Sequence, residues 1–173
     1  ITVLGTLMFA LPAMAATTAS LSPANVNIVA GKSFNVVISV NPQGVNNYAE
    51  KLEIDFPASI LEVTSFSLGS NWMALTQTGY DSIDNVSGIL IKSAGYPGGF
   101  SGAGAFGTIT FRAKKIGSGT IKIGNSSLAY EINSQSAITG SGTTFAVSAA
   151  VVAPKTTTVQ VTPTVGTRPI VQE

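Results

Sequence analysis

The chain of 173 residues is 45% hydrophobic but only 10% charged, with a net charge of +1 at neutral pH, and it is long enough for one domain with tails. An average soluble domain is about 25% charged, so the polar surface must come from Ser, Thr, Asn, Gln and Gly, a composition common in extracytoplasmic β-proteins. The lack of His and Cys excludes disulfides, thiol nucleophiles, Ser-His-Asp triads and zinc sites with N or S ligands. No basic run extends beyond Lys114-Lys115, so we expect no nucleic-acid partner, because phosphate binding needs clustered Lys and Arg.

Residues 1–15 read ITVLGTLMFALPAMA and carry no charge. At about 1.5 Å per residue, a helix of this length is too short to cross a roughly 30 Å hydrocarbon core. Ala13-Met14-Ala15 has the small-x-small pattern that signal peptidase cleaves. We therefore predict a truncated signal peptide that ends at Ala15 and an extracellular or cell-surface protein. A buried apolar segment or a membrane anchor is the alternative.

Short runs of alternating polar and apolar residues follow, separated by Gly, Pro and Asn turn signals. The runs cover residues 25–29, 34–40, 48–56, 60–66, 88–92, 108–114, 120–123, 127–130 and 144–147, and residues 72–76 could form a further short strand. Apart from the leader, no window of helical length carries an apolar stripe with a period of 3.6 residues. The pattern predicts an all-β domain over residues 16–147, a jelly-roll or immunoglobulin-like β-sandwich of about eight or nine strands.

The run over residues 48–56 shows the clearest alternation. The apolar residues of one face are Leu52, Ile54 and Phe56, and the charged residues of the other face are Lys51, Glu53 and Asp55. Because successive side chains of a strand point to opposite faces, we predict that the apolar set packs on the core and the charged set is exposed.

From about residue 148 the composition changes to a run rich in Thr and Val, which Pro154, Pro163 and Pro169 interrupt. Few of these side chains can form a core. Residues 148–173 are therefore predicted to be a semi-extended linker or stalk.

Gly102 to Gly107 read GAGAFG, which matches the G-x-G-x-x-G pattern of dinucleotide-binding loops. Such a loop requires a strand before it and a helix after it, because the helix N-terminus faces the pyrophosphate. Here the following residues, 108–114, alternate as a strand. We predict no nucleotide site and interpret the glycines as the flexible lead-in to that strand.

Paired carboxylates are the remaining route to catalysis, because two of them at a suitable separation hydrolyse glycosidic bonds. Glu53 and Asp55 share a strand face, where like charges are usually solvated surface. Asp81, Asp84 and Asn85 could offer oxygens to calcium, but their spacing matches no strict loop and favours loop capping. We predict a protein without catalytic residues, metal or cofactor.

Aromatic residues divide into two groups by position. Those in strand runs are predicted to fill the core: Phe34, Phe56, Phe66, Phe111 and Phe145. Trp72, Tyr80, Tyr96 and Phe100 lie in or beside predicted loops, where exposed aromatic faces can stack on sugar rings. These four residues are a candidate carbohydrate-binding site; the alternative is that they cap the open ends of the sandwich.

Three stretches in this order resemble the cohesin domain. Residues 29–36, VAGKSFNV, are similar to the family's opening strand pair. Residues 52–63, LEIDFPASILEV, are similar to its next strand, the turn after it and its LEV strand. Residues 104–114, GAFGTITFRAK, are similar to its G-x-x-x-x-I-x-F-x-x-K strand. The likeness extends from residue 21 to about residue 141. It implies a jelly-roll β-sandwich of the kind that cohesins share with certain cellulose-binding modules.

Cohesins bind dockerin modules and so assemble extracellular enzyme complexes. The resemblance implies a protein partner, dockerin-like or another surface protein, and places Lys51, Glu53 and Asp55 in the candidate protein-binding sheet. The family often has Asn and Asp early on that strand, where this chain has Ala49 and Lys51. We predict a secreted, non-catalytic module that binds another protein; polysaccharide binding by the four loop aromatics is the alternative.

Overall fold

The structure, a computed structural model, describes residues 16–150. The strands within this range are β1 (Thr18–Ser22), β2 (Asn25–Val29), β3 (Ser33–Asn41), β4 (Asn47–Asp55), β5 (Leu61–Leu68), β6 (Met73–Ala74), β7 (Asp81–Asp84), β8 (Ile89–Phe100), β9 (Gly104–Ala113), β10 (Gly117–Ile123), β11 (Leu128–Tyr130), β12 (Gln135–Ala137), β13 (Thr139–Ser141) and β14 (Thr143–Ser148). Residues 16–150 contain no helix, hence none long and apolar enough to cross a membrane. The predicted signal peptide, 1–15, and residues 151–173 of the predicted stalk lie outside the described residues.

The strands form two sheets, and the predicted all-β sandwich is confirmed. The five-stranded sheet has the order β13-β1-β3-β9-β5. The nine-stranded sheet has the order β12-β11-β4-β10-β14-β2, with β8 also paired to β4 and with β6 and β7 paired to β8. Strand β4 therefore lies inside the larger sheet, between β8 on one side and β10 and β11 on the other.

The core lies between the two sheets and follows the period-two pattern of the strands. Val36, Ile38 and Val40 of β3 are fully buried, as are Leu52 and Ile54 of β4. Across the sandwich, the rings of Phe56 and Phe111 meet edge to face, with centroids 5.4 Å apart. Full burial of such a side chain contributes about 1.5–3 kcal/mol, so the alternation seen in the sequence is the main source of the fold's stability.

Residues 16–150 form 14 strands, more than the eight or nine that the sequence predicted. Among the strands that the sequence did not reveal are β1, β7, β12 and β13, which are three to five residues long. Runs this short carry little alternation, and their pairing depends on distant partners; β13, for example, pairs with β1 in parallel. The fold class was readable from the long strands alone.

A second correction concerns Tyr96 and Phe100, which were predicted to lie in or beside a loop together with the intervening Pro97, Gly98 and Gly99. Strand β8 continues through these residues to Phe100, which pairs with Asn47 of β4. Gly98 and Gly99 have φ angles of 83° and 75°, and the register shifts between Asn47 and Ala49. The two glycines therefore produce an irregularity within the strand rather than its end, because only glycine adopts such angles without strain.

Strand β9 begins at Gly104, so the last four residues of GAGAFG lie within the strand. Only Gly102 and Ala103 precede it, and the interpretation of the whole stretch as a flexible lead-in is wrong. A strand rather than a helix follows the glycines, as predicted. Gly107 is needed for packing: a Cβ added there would lie 2.4 Å from Phe66 Cζ and 2.7 Å from the Ser67 carbonyl oxygen. Gly102 and Gly104 have open space where a Cβ would stand, so the members of the motif play different structural roles.

Candidate functional site

Lys51, Glu53 and Asp55 point outward from β4, between the buried Leu52 and Ile54. We call these three side chains the β4 face. The predicted alternation of this strand is thus confirmed, and all three side chains are partly exposed. Because β4 is paired on both sides, the face lies in the middle of the larger sheet rather than at its edge.

Charges of both signs meet on the β4 face. Asp55 is directly opposite Lys122 of β10, and Lys51 Nζ lies 5.8 Å from the ring centroid of Tyr80. Partial burial and the neighbouring Glu53 charge raise the pKa of Asp55, while Lys122 opposes that rise. The face is therefore polar and mixed in sign, with one carboxylate whose charge is partly unfavourable in the isolated protein.

A cavity of about 360 Å³ lies beside β4 and includes Tyr80, the aromatic neighbour of Lys51. Its lining consists of Ala49, Glu50, Leu75, Gln77, Tyr80, Ser93 and Tyr130. Leu75 is 39% exposed and Tyr80 is 40% exposed, so the cavity has apolar side chains accessible from solvent. The structure thus places Tyr80 with the β4 face and separates it from the other three aromatic residues of the predicted carbohydrate site.

Trp72, Tyr96 and Phe100 do come together, joined by Phe106 of β9; we call these four residues the aromatic cluster. The Trp72 ring meets Tyr96, Phe100 and Phe106 edge to face, with centroid distances of 5.1, 4.8 and 4.9 Å. Trp72 is only 8% exposed, and its Nε1–H donates to the carbonyl oxygen of Ala105 at 2.9 Å. The Trp72 indole is therefore a packed element of the sandwich.

A cavity of about 380 Å³ borders the aromatic cluster and is lined by residues 69–72 and 102–105 together with Tyr96 and Phe100. Stacking on a sugar ring requires an exposed, flat aromatic surface. Tyr96 and Phe100 remain partly exposed, but their rings are tilted by 36° to each other and each meets Trp72 almost at a right angle. Carbohydrate binding by these residues stays a prediction, without a coplanar pair in the cluster to favour it.

Of the three residues predicted to cap loops, Asp84 does so, whereas Asp81 and Asn85 make longer-range contacts. Asp84 Oδ1 accepts hydrogen bonds from the backbone N–H groups of Val86 and Ser87, both at 2.9 Å, and these bonds lower the pKa of Asp84. Asn85 receives the N–H of Val63 at 2.7 Å and donates to its carbonyl at 2.9 Å. Asp81 forms an ion pair with Lys92. In residues 16–150 no group of three or more acidic side chains could hold a metal ion.

One polar group of β4 was missed by the sequence analysis. Glu50 is completely buried, and its Oε1 accepts a hydrogen bond from Asn47 Nδ2 at 2.8 Å. The same Asn47 nitrogen donates to Thr17 Oγ1, also at 2.8 Å. The signal was present in the alternation, because Glu50 has the same phase as Leu52 and Ile54 and must therefore point inward.

Comparisons with known proteins found similarity in structure but not in sequence. No family model matches the sequence, and no curated protein matches it. The class that the two sheets define is the jelly-roll β-sandwich, and the solved structures similar to this chain are cohesin modules.

A cohesin module from a family 33 glycoside hydrolase of Clostridium perfringens has a TM-score of 0.64 at 7% identity, with 78% of this chain and 98% of that chain covered. A non-cellulosomal cohesin from Archaeoglobus fulgidus has a TM-score of 0.58 at 16% identity, with 78% and 93% covered. The third cohesin of ScaC from Acetivibrio cellulolyticus, solved in complex with the ScaB dockerin, has a TM-score of 0.59 at 16% identity, with 76% and 98% covered.

These similarities confirm that the chain has the cohesin fold, as the three sequence stretches predicted. At such low identities a structural likeness establishes the fold, while function must be argued from the site. The site on which that argument depends is the β4 face with its neighbouring cavity.

Proposed function

We propose that the chain is a non-catalytic, protein-binding module of the cell surface or the extracellular space, and that its partner binds on the β4 face. The observation that carries the proposal is the exposed, mixed-charge surface in the middle of the larger sheet of a cohesin fold. One similar cohesin was solved with a dockerin bound, so a dockerin-like or other surface protein is the kind of partner that the fold favours.

The physical character of the face agrees with this role. Protein interfaces combine an apolar, aromatic centre with a polar rim, and charges of complementary sign give specificity. Here Tyr80 and Leu75 offer exposed apolar surface beside the cavity. Lys51, Glu53 and Asp55 supply the charges around it. A partner that contributes an opposite charge to Asp55 would also relieve the unfavourable ionisation of that carboxyl.

The test is capture of partners from the secreted proteins of the source organism and from a panel of purified dockerins, with the whole chain as bait. The test variant combines Lys51→Glu with Asp55→Lys. The matched control combines Glu62→Arg with Arg112→Glu, which exchanges an ion pair between β5 and β9 in the other sheet. Each double variant exchanges one positive and one negative charge and leaves the net charge unchanged.

We expect the β4-face variant to lose affinity by at least about tenfold, while the control variant binds like the wild type. Isothermal titration with the captured partner measures both. A partner that binds all three proteins equally well would place the interface elsewhere, and the absence of any retained protein would contradict the binding role itself.

A further inference from the structure

Glu50 lies on the core side of β4, at the end of the sandwich that also contains Thr17. Its backbone is paired with Ala94 of β8 and Ala129 of β11, and all three residues are fully buried. The Asn47 amide links its carboxyl to Thr17, which directly precedes β1 of the other sheet. This Thr17–Asn47–Glu50 network therefore joins the two sheets through polar side chains that are at most 1% exposed, although Glu50 also contributes to the lining of the cavity beside β4.

Two oxygen atoms of the Thr17–Asn47–Glu50 network have no hydrogen-bond donor. Among the described residues, neither Glu50 Oε2 nor Asn47 Oδ1 has a hydrogen-bond partner, although both atoms are buried. An ionised carboxylate can only accept hydrogen bonds, and a buried acceptor without a donor is costly. A proton on Oε2 would convert that acceptor into a donor. The other unpaired acceptor, Asn47 Oδ1, belongs to the amide that already donates to Oε1 of the same carboxyl group.

The electrostatic surroundings favour that proton. Ala94 of β8 and Ala129 of β11 are paired with Glu50, and Thr17 and Asn47 are uncharged. Three hydroxyl-bearing residues, Tyr80, Ser93 and Tyr130, line the cavity to which Glu50 also contributes. The charged group that acts on Glu50 is Glu131, which follows β11 and has the same sign. Burial, followed by the Glu131 charge, raises the pKa of Glu50 from 4.5 to about 8 against the opposing hydrogen bond from Asn47.

We propose that Glu50 is a neutral carboxylic acid in the folded protein at neutral pH, that its Oε2–H donates to Asn47 Oδ1, and that loss of this proton weakens the junction between the two sheets. The folded state then holds a proton that the unfolded chain releases at a lower pH. The contribution of Glu50 to stability is therefore complete below the ordinary pKa of a glutamate and is lost as the pH rises towards that of folded Glu50.

The first test measures the unfolding equilibrium of the whole chain by chemical denaturation between about pH 5 and pH 9. For the wild type, Glu50 is expected to raise the unfolding constant about tenfold per pH unit between about pH 5 and pH 8. Glu50→Gln carries a permanent amide donor in place of the acid, so it should lack this component and be more stable than the wild type at the alkaline end. Glu62→Gln, the same chemical change on the other sheet beside Arg112, should retain the full dependence.

The second measurement needs no variant that folds: the ¹³C signal of the Glu50 carboxyl, followed through a pH titration of the native wild type. A signal that stays in the protonated form through neutral pH and titrates near pH 8 supports the proposal. A signal that titrates in the ordinary range of glutamate overturns it. Equal pH dependence of the unfolding constant in the wild type and in Glu50→Gln overturns it as well.

Discussion

The β4 face was predicted to bind a protein from the resemblance to cohesins, whereas Trp72, Tyr96 and Phe100 of the aromatic cluster were predicted to bind sugars from residue type and position. The structure gives the two regions opposite character. The β4 face consists of side chains that project from a paired strand into solvent. In the aromatic cluster, three rings surround Trp72 at centroid distances of 4.8–5.1 Å, and Trp72 itself is buried. The comparison shows that a polar side chain on the outer face of a strand remains accessible to a partner, whereas an aromatic side chain near a turn often packs against the rest of the domain.

The largest effect on stability is expected at Trp72, in the aromatic cluster. We expect Trp72→Ala to lower the free energy of unfolding by about 3–5 kcal/mol, because it removes the central ring of the cluster and leaves a cavity. Trp72→Phe should cost less, about 1–2 kcal/mol, since it keeps an aromatic ring but leaves the Ala105 carbonyl without its donor. Trp72 is the single tryptophan of the chain, so chemical denaturation of all forms should be followed by circular dichroism.

A loss below about 1 kcal/mol for Trp72→Ala would mean that the indole contributes little packing. The cluster would then be available for ligands, and the carbohydrate prediction would gain weight. Retarded migration of the wild type, but not of Trp72→Ala, in gels that contain polysaccharide would point the same way.

Gly107 within β9 and Gly102 before it should differ in how much stability an added methyl group costs. Gly107→Ala brings a methyl group within 2.4 Å of Phe66 Cζ, and Phe66 packs on Phe106 of the cluster. We expect a loss of about 1–3 kcal/mol in the free energy of unfolding from this overpacking. Gly102→Ala meets nothing within 4 Å and should change stability by less than about 0.5 kcal/mol.

Thermal and chemical denaturation of the two glycine variants side by side measure this difference. Equal stability of both variants would contradict the close packing of β9 against Phe66. Equal and large losses would instead indicate that the whole GAGAFG stretch is constrained, including the positions that have open space in the structure.

The long strands could be predicted from the sequence because each one carries its own alternation. Strands β3, β4 and β9 have nine or ten residues, and the buried set of each could be read from a period of two. Three-residue β12 and β13 have no such pattern. They are strands because β11 and β1 pair with them, and that information lies elsewhere in the chain.

The candidate site was predictable in part for the same reason. The outward phase of Lys51, Glu53 and Asp55 followed from the alternation, and so did the inward phase of Glu50. That Tyr80 stands beside Lys51, while Tyr96 and Phe100 pack on Trp72, depends on how β6, β7 and β8 are arranged. No local pattern encodes that arrangement, and the positive φ angles of Gly98 and Gly99, which let β8 continue, have no signature that distinguishes them from a turn.

The smallest effect on stability is expected on the β4 face. The double variant Lys51→Glu with Asp55→Lys should change the free energy of unfolding by less than about 0.5 kcal/mol, because exposed charges contribute little. The variant loses the contact of Lys51 with the Tyr80 ring, which at such a site is worth about 0.5–1 kcal/mol. It also removes Asp55, whose raised pKa marks a carboxylate that is disfavoured in the folded state, and the two effects oppose each other. Denaturation curves of the double variant and the wild type at neutral pH would test this. If the double variant were as unstable as Trp72→Ala, the charges of the β4 face would be needed for folding, and the face would have a structural role rather than a binding role.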